Sequence, residues 1–138
     1  MKRLRFTARE DTSLTHQINT KVLVVDDHEP SRNLLCEMLT SAGYAVRAAS
    51  DGIHAIRHME ATRFDVVLTD LSMPQMDGLE LLNKIRDRWP ESRVVVHSSI
   101  LTSRIARLAR MEGAYACLSK SVNTAQLLKT IASASLTT

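Results

Sequence analysis

Five times along this chain a short strand-like run, rich in valine in three cases, stops at polar residues and gives way to a stretch with helical spacing. Val22-Leu23-Val24-Val25 stops at Asp26-Asp27, Tyr44 to Ala49 at Asp51-Gly52, and Phe64 to Thr69 at Asp70. Val94-Val95-Val96 stops at His97-Ser98-Ser99, and Ala114 to Leu118 runs on to Lys120. The valine-rich runs at 22–25 and 64–69 read as strands covered on both faces, the situation inside a parallel sheet. Strands alternating with helices at this spacing form βαβ units with right-handed crossovers. The chain is therefore expected to be a doubly wound α/β protein with helices on both faces of one sheet.

The helices carry their own punctuation. Pro30-Ser31 opens the first, Leu34, Leu35, Met38 and Leu39 mark its apolar side, and Gly43 stops it. Ile53, Ile56 and Met59 mark the second. Asp77 with Glu80 resembles a capping pair for the third, whose face is Leu79, Leu82 and Ile85, and Trp89-Pro90 ends it. Thr102 to Met111 forms the fourth, before Gly113. Asn123 with Gln126 caps the fifth, with Leu127, Leu128 and Ile131 facing inward. Residues 1–20 are polar and weakly patterned and are expected to form a flexible tail or a short extra helix, 21–135 the folded domain, and 136–138 its end.

At 138 residues one domain is the natural expectation, with enough surface to bury that it needs no staple. Cys36 and Cys117 are too few for a disulfide framework or a zinc site and are expected to be ordinary thiols. No apolar run approaches a membrane span, and the charged N-terminus lacks the apolar core of a secretory signal, so a cytoplasmic location is expected. The net charge of +3 is uneven: +2 over residues 1–20, −4 over 21–91 and +5 over 92–138. With no basic run and no interleaved aromatics, neither nucleic acid nor membrane is an expected partner.

In open α/β sheets ligands bind outside the carboxyl ends of the strands. Here those ends carry Asp26, Asp27, Asp70, Ser98 and Lys120. Exposed strand ends are often polar, which accounts for any one of them. It accounts poorly for three acids together, because like charges raise one another's pKa or need a cation. Mg²⁺, which takes oxygen ligands and keeps waters beside one or two carboxylates, fits. The loop after the first strand has no glycine and is acidic, so it would repel a dinucleotide phosphate. A cation held by acids, with a lysine and a hydroxyl nearby, is suited instead to a phosphoryl group, and a carboxylate can itself accept one.

Val24-Val25-Asp26-Asp27-His28-Glu29-Pro30, then the segment Asp65 to Gly78 with Asp70-Leu71-Ser72-Met73-Pro74-Gln75-Met76-Asp77-Gly78, then Gly113-Ala114 leading to Lys120, resemble the receiver domain of two-component response regulators, of the chemotaxis-regulator type. Ser98 follows Asp70 by 28 residues and Lys120 follows it by 50, as the family's hydroxyl and lysine do. The resemblance implies a flavodoxin-like five-stranded sheet in the order 2-1-3-4-5. It implies phosphoryl transfer from a histidine kinase or a histidine phosphotransfer protein onto Asp70, with no further enzymatic activity beyond self-phosphorylation and autodephosphorylation. Asp27 and Asp70 would bind Mg²⁺ directly, Asp26 through water, and Ser72 through its backbone carbonyl. Lys120 and Ser98 would contact the phosphoryl group. The fourth and fifth helices with the fifth strand would engage a downstream protein target or form a homodimer.

Four positions depart from the family pattern. Ser121 stands where a proline usually follows the lysine, Cys117 where an aromatic often reports the switch, and Ser98 where threonine is commoner. Ile100, with Ser72, would flank the phosphoryl group and limit water access. The Cys117 and Ser121 departures leave room for a first alternative, a pseudo-receiver that binds partners without phosphorylation; a second is a Mg²⁺-dependent phosphohydrolase with an aspartyl nucleophile. The complete set Asp27, Asp70, Ser98, Lys120 argues against the first, and the adjacency of Asp26 and Asp27 against the second. His54 and His58 lie four apart but lack a third ligand, His28 is a loop residue, and His97 is expected to be packed. Arg104, Arg107 and Arg110 form a basic stripe, read either as a solvated face or as a surface for an acidic partner.

Overall fold

The computed structural model describes residues 20–73 and 76–136. Strands β1 (Lys21–Val25), β2 (Ala45–Ala49), β3 (Val66–Thr69), β4 (Arg93–Ser98) and β5 (Ala116–Ser119) alternate with helices α1 (Glu29–Ser41), α2 (Gly52–Ala61), α3 (Gly78–Arg88), α4 (Ser103–Met111) and α5 (Thr124–Leu136). The sheet order is β2-β1-β3-β4-β5 and every pairing is parallel. The expected doubly wound fold is the observed one. The tail expectation for residues 1–19 falls outside the described residues. Thr20 is buried, and its carbonyl accepts from the Ala45 N–H.

Alternation along the strands divides the core in two. Val22, Val24, Val66, Leu68 and Val95 pack beneath α1 and α5, against Leu35, Leu39, Leu127 and Ile131. Leu23, Val25, Val67, Val94 and Val96 pack against Met59 of α2, Leu81, Leu82 and Ile85 of α3, and Ala109 of α4. Each of the larger fully buried aliphatic side chains contributes roughly 2 kcal/mol relative to exposure. The three inner strands are buried along almost their whole length, whereas β5, an edge strand, is half-buried throughout.

Each helix opens on a side-chain cap. The His28 Nδ1 accepts from Ser31, Asp51 from His54, Asp77 from Glu80, Thr102 from Ile105 and Asn123 from Gln126, all backbone N–H groups. His28, a loop residue as expected, thus also caps α1.

Several boundaries and faces differ from the sequence reading. β2 begins at Ala45, β3 at Val66, and β5 at Ala116, running to Ser119. Apolar residues ahead of these strands, such as Tyr44 and Phe64, are buried in the core without joining the ladder. Tyr115 precedes β5, and strand alternation does not reach it: it packs on the α1/α5 side while Cys117 packs on the other. Leu34 and Ile53 are exposed, and Leu81 and Ala55 take the buried positions. No helix among the described residues is long and apolar enough to cross a membrane.

Candidate functional site

Strand order decides which polar residues meet. The winding reverses between β1 and β3, which are neighbours, and their register pairs Val25 with Thr69. The next residues, Asp26 and Asp70, therefore emerge side by side at the carboxyl edge, the usual position of a site in such sheets. Backbone bonds Asp26 N to Ala49 O (3.1 Å) and Asp70 N to Val25 O (3.0 Å) carry the ladder into the site. Carboxylate oxygens of Asp26, Asp27 and Asp70 all lie within 4.8 Å of one another. Asp26 and Asp70 are buried and Asp27 is exposed.

Lys120 enters from the far edge. β4 lies between β5 and β3, so its side chain must pass over the end of β4 to reach the acids. It does so, and Nζ donates to Asp26 Oδ2 and to Asp70 Oδ2, each at 2.9 Å. Burial alone would lower the lysine pKa. Hydrogen bonds to the two carboxylates, then their charges, outweigh that and hold it above the ordinary value. One ammonium against three carboxylates leaves the cluster with a net charge of −2 when all are ionised.

The remaining oxygens are oriented by backbone. Asp70 Oδ1 accepts from the N–H of Leu71 at 2.7 Å and of Ser72 at 3.4 Å, and Asp26 Oδ1 accepts from His28 N at 2.9 Å. Arg32, on α1, donates to the Asp26 carbonyl at 2.9 Å and ties the loop to the helix. Gly78 seats α3 against the site. A Cβ there would lie 2.3 Å from the Asp70 carbonyl oxygen and 2.7 Å from Leu71 Cα, so only glycine fits. Its N–H donates to Leu71 O at 2.8 Å.

Ser98 ends β4 fully buried, its Oγ accepting from the Ile100 N–H at 3.2 Å, and its carbonyl accepts from Lys120 N at 3.0 Å. Ser72 is exposed, and half of Ile100 is open to solvent. Ile100 and Ser72 border one cavity of about 260 Å³ with Leu71, Met73, Asp77 and Leu79.

Other singled-out residues have plainer roles. His54 pairs with Asp51 at 2.8 Å, and His58 sets its ring edge-on to Phe64. Neither belongs to a cluster of three metal-ligating side chains among the described residues. Burial pushes the Cys36 and Cys117 thiols up, partly opposed by Arg32 and Arg110 respectively, so neither is an activated thiolate. Arg104, Arg107 and Arg110 are exposed on α4 beside the exposed Leu108 and Met111. The sequence reading missed Arg32 and quoted Gly78 without giving it a role. A helix-borne arginine five residues after Asp27, and a glycine at a helix start, were the available signals.

The family profile described as response regulator receiver domain matches residues 22–132. The chain belongs to this family. The receiver domain is similar over 112 residues to the sensor histidine kinase RcsC of Escherichia coli K12, at 33% identity, covering 81% of this chain and 12% of the kinase. Over 122 residues it is 34% identical to the sensory/regulatory protein RpfC of Xanthomonas campestris, covering 86% of this chain and 17% of that protein. It thus spans a small fraction of these curated relatives. Among solved structures, the Vibrio cholerae chemotaxis protein CheY4 superposes with a TM-score of 0.77 at 31% identity, covering 82% of this chain and 96% of that one. The CheX–CheY–BeF₃–Mg²⁺ complex of Borrelia burgdorferi gives a TM-score of 0.80 at 28% identity, covering 84% of this chain and 89% of that one. The receiver domain is thus a signalling domain of two-component systems, with the CheY-like fold.

Proposed function

We propose that this receiver domain accepts a phosphoryl group on Asp70 from the phosphohistidine of a histidine kinase or phosphotransfer protein. One observation carries the reading: Asp70 shares a three-carboxylate cluster with Asp26 and Asp27, and Lys120 Nζ bridges two of its members at 2.9 Å. In the transfer, the histidine P–N bond breaks as an Asp70 Oδ–P bond forms, and the donor imidazole takes up a proton. Such transfer needs in-line placement and charge stabilisation more than covalent help. Backbone N–H groups of Leu71 and Ser72 hold one Asp70 oxygen, and the Lys120 ammonium stands ready for a phosphoryl oxygen.

Three carboxylates and a backbone carbonyl are hard oxygen donors, the set Mg²⁺ takes. Asp27 and Asp70, the Ser72 carbonyl, and Asp26 through water would hold the ion, whose chemistry is to neutralise charge on the phosphoryl oxygens. After transfer, the Ser98 hydroxyl turns to the phosphoryl group and releases the Ile100 N–H. The β4–α4 segment moves with it, a local charge change biasing a two-state element. The readout surface is α4, β5 and α5, where Arg104, Arg107, Leu108 and Met111 face solvent and would meet an acidic, partly apolar protein.

Incubation with acetyl phosphate and Mg²⁺, followed by intact-mass spectrometry, tests this. A labile phosphoryl adduct is expected, absent without Mg²⁺ and absent in Asp70→Asn. An adduct that survives Asp70→Asn overturns the assignment.

A further inference from the structure

His97 is costly where it stands. It lies in β4 on the same face as Val95, only 8% exposed, and among the described residues its Nδ1 has no hydrogen-bond partner. A buried polar atom left unpaired works against folding, and an aliphatic residue would fill this strand position without that cost. Burial, then the Lys120 charge, lowers the His97 pKa against the pull of Asp26 and Asp70, which favours the neutral ring, and a neutral imidazole has one nitrogen able to accept.

Its neighbours indicate what the ring is for. The strand between β5 and β3 is β4, so the lysine that runs from β5 to Asp70 crosses the end of β4. His97 is the β4 residue on the α1/α5 face at that crossing. Both His97 and Lys120 border one cavity of about 240 Å³, which continues between α1 and α5 along Leu34, Leu35 and Leu127. Lys120 has three N–H donors, of which Asp26 and Asp70 engage two.

We propose that His97 is a positioning residue for Lys120: its ring is the platform under the lysine stem, and its free nitrogen is the acceptor that holds Nζ when a carboxylate is withdrawn. Phosphoryl transfer withdraws Asp70 in this way, because one of its oxygens becomes the ester oxygen, and His97 then holds Nζ in place while it engages a phosphoryl oxygen. With the imidazole below, the ammonium keeps its place over the acids instead of turning out along the α1/α5 cavity. The inference rests on the phospho-acceptor reading and specifies how its lysine is held.

The test separates stability from reactivity, using wild type, His97→Val, His97→Gln and Asp70→Asn. Thermal unfolding and the rate of adduct formation with acetyl phosphate and Mg²⁺ are measured for each. His97→Val is expected to melt about 3–5 °C higher, because the unpaired nitrogen is gone, yet to take up phosphoryl about tenfold more slowly, the equivalent of one lost hydrogen bond. His97→Gln restores an acceptor and is expected to return most of the rate. His97→Val that reacts like wild type overturns the inference. So does His97→Val that loses stability and rate together, since the ring is then ordinary packing, and so does a slow His97→Gln. An adduct on Asp70→Asn instead overturns the acceptor assignment itself.

Discussion

Replacing Lys120 by methionine keeps most of the side-chain volume and removes one charge from a cluster built around it. In the wild type the ammonium bridges Asp26 and Asp70 at 2.9 Å, with their side chains 2% and 9% exposed and its own 22%. Methionine leaves two buried carboxylates and the nearby Asp27 facing one another without a counter-charge. Breaking a buried ion pair by removing one partner costs about 3–5 kcal/mol. The partial exposure of Lys120 and of Asp27 argues for the lower end, about 3 kcal/mol, roughly a hundredfold in the folding equilibrium. In urea that lowers the unfolding midpoint by about 1.5 M. The pH dependence has a fixed sign. Because the folded pKa of Lys120 is raised above 10.5, its contribution is fully present below that value and is lost as pH rises through the folded pKa. The gap between wild type and Lys120→Met is therefore flat from about pH 7 to 9 and closes only in strong alkali. Added Mg²⁺ is expected to raise the variant's midpoint more than the wild type's, since the cation then replaces the missing charge. Urea titrations at several pH values, with and without Mg²⁺, measure all three. A variant within about 0.5 kcal/mol of wild type at pH 7 would refute the reasoning, because the ammonium would then not be holding the acids together.

Gly78→Ala is expected to cost about 2–3 kcal/mol by urea denaturation and to slow phosphoryl uptake, because the new methyl meets the Asp70 and Leu71 backbone rather than a flexible side chain. Asp51→Ala removes the cap of α2 and is expected to cost about 1 kcal/mol near neutral pH. The His54 backbone N–H, above all, holds the Asp51 pKa below 3.8, so this contribution is present above that value and fades as pH falls through the folded pKa. Acid unfolding of wild type and variant should therefore converge. Ile100→Asn places a polar group beside Ser98 and Ser72, and its aspartyl phosphate is expected to decay up to about tenfold faster in a mass-spectrometric time course.

The alternation of strand-like runs, three of them valine-rich, with helical segments determined the α/β class, since inner strands that are apolar on both faces need helices on both sides of the sheet. The caps were equally local: Asp77 three residues before Glu80, and Asn123 before Gln126, act within one turn and so are written in adjacent residues. The acidic pair, Asp70, Ser98 and Lys120 could be named because each ends a strand, and the carboxyl edge collects such ends. What the pattern could not say is how the side chains share that edge. Leu34 and Leu81 show the same limit, because helical periodicity marks an apolar side but packing against the sheet sets its direction. Tertiary structure alone put β4 between Lys120 and Asp70, so that the lysine passes the end of β4 and bridges two carboxylates. It alone brought α3 so close to the Asp70 carbonyl that glycine is required. The physical reason is range. Propensity and capping act over a few residues, whereas these contacts join positions 50 and 94 residues apart, and only the strand order brings them within hydrogen-bonding distance.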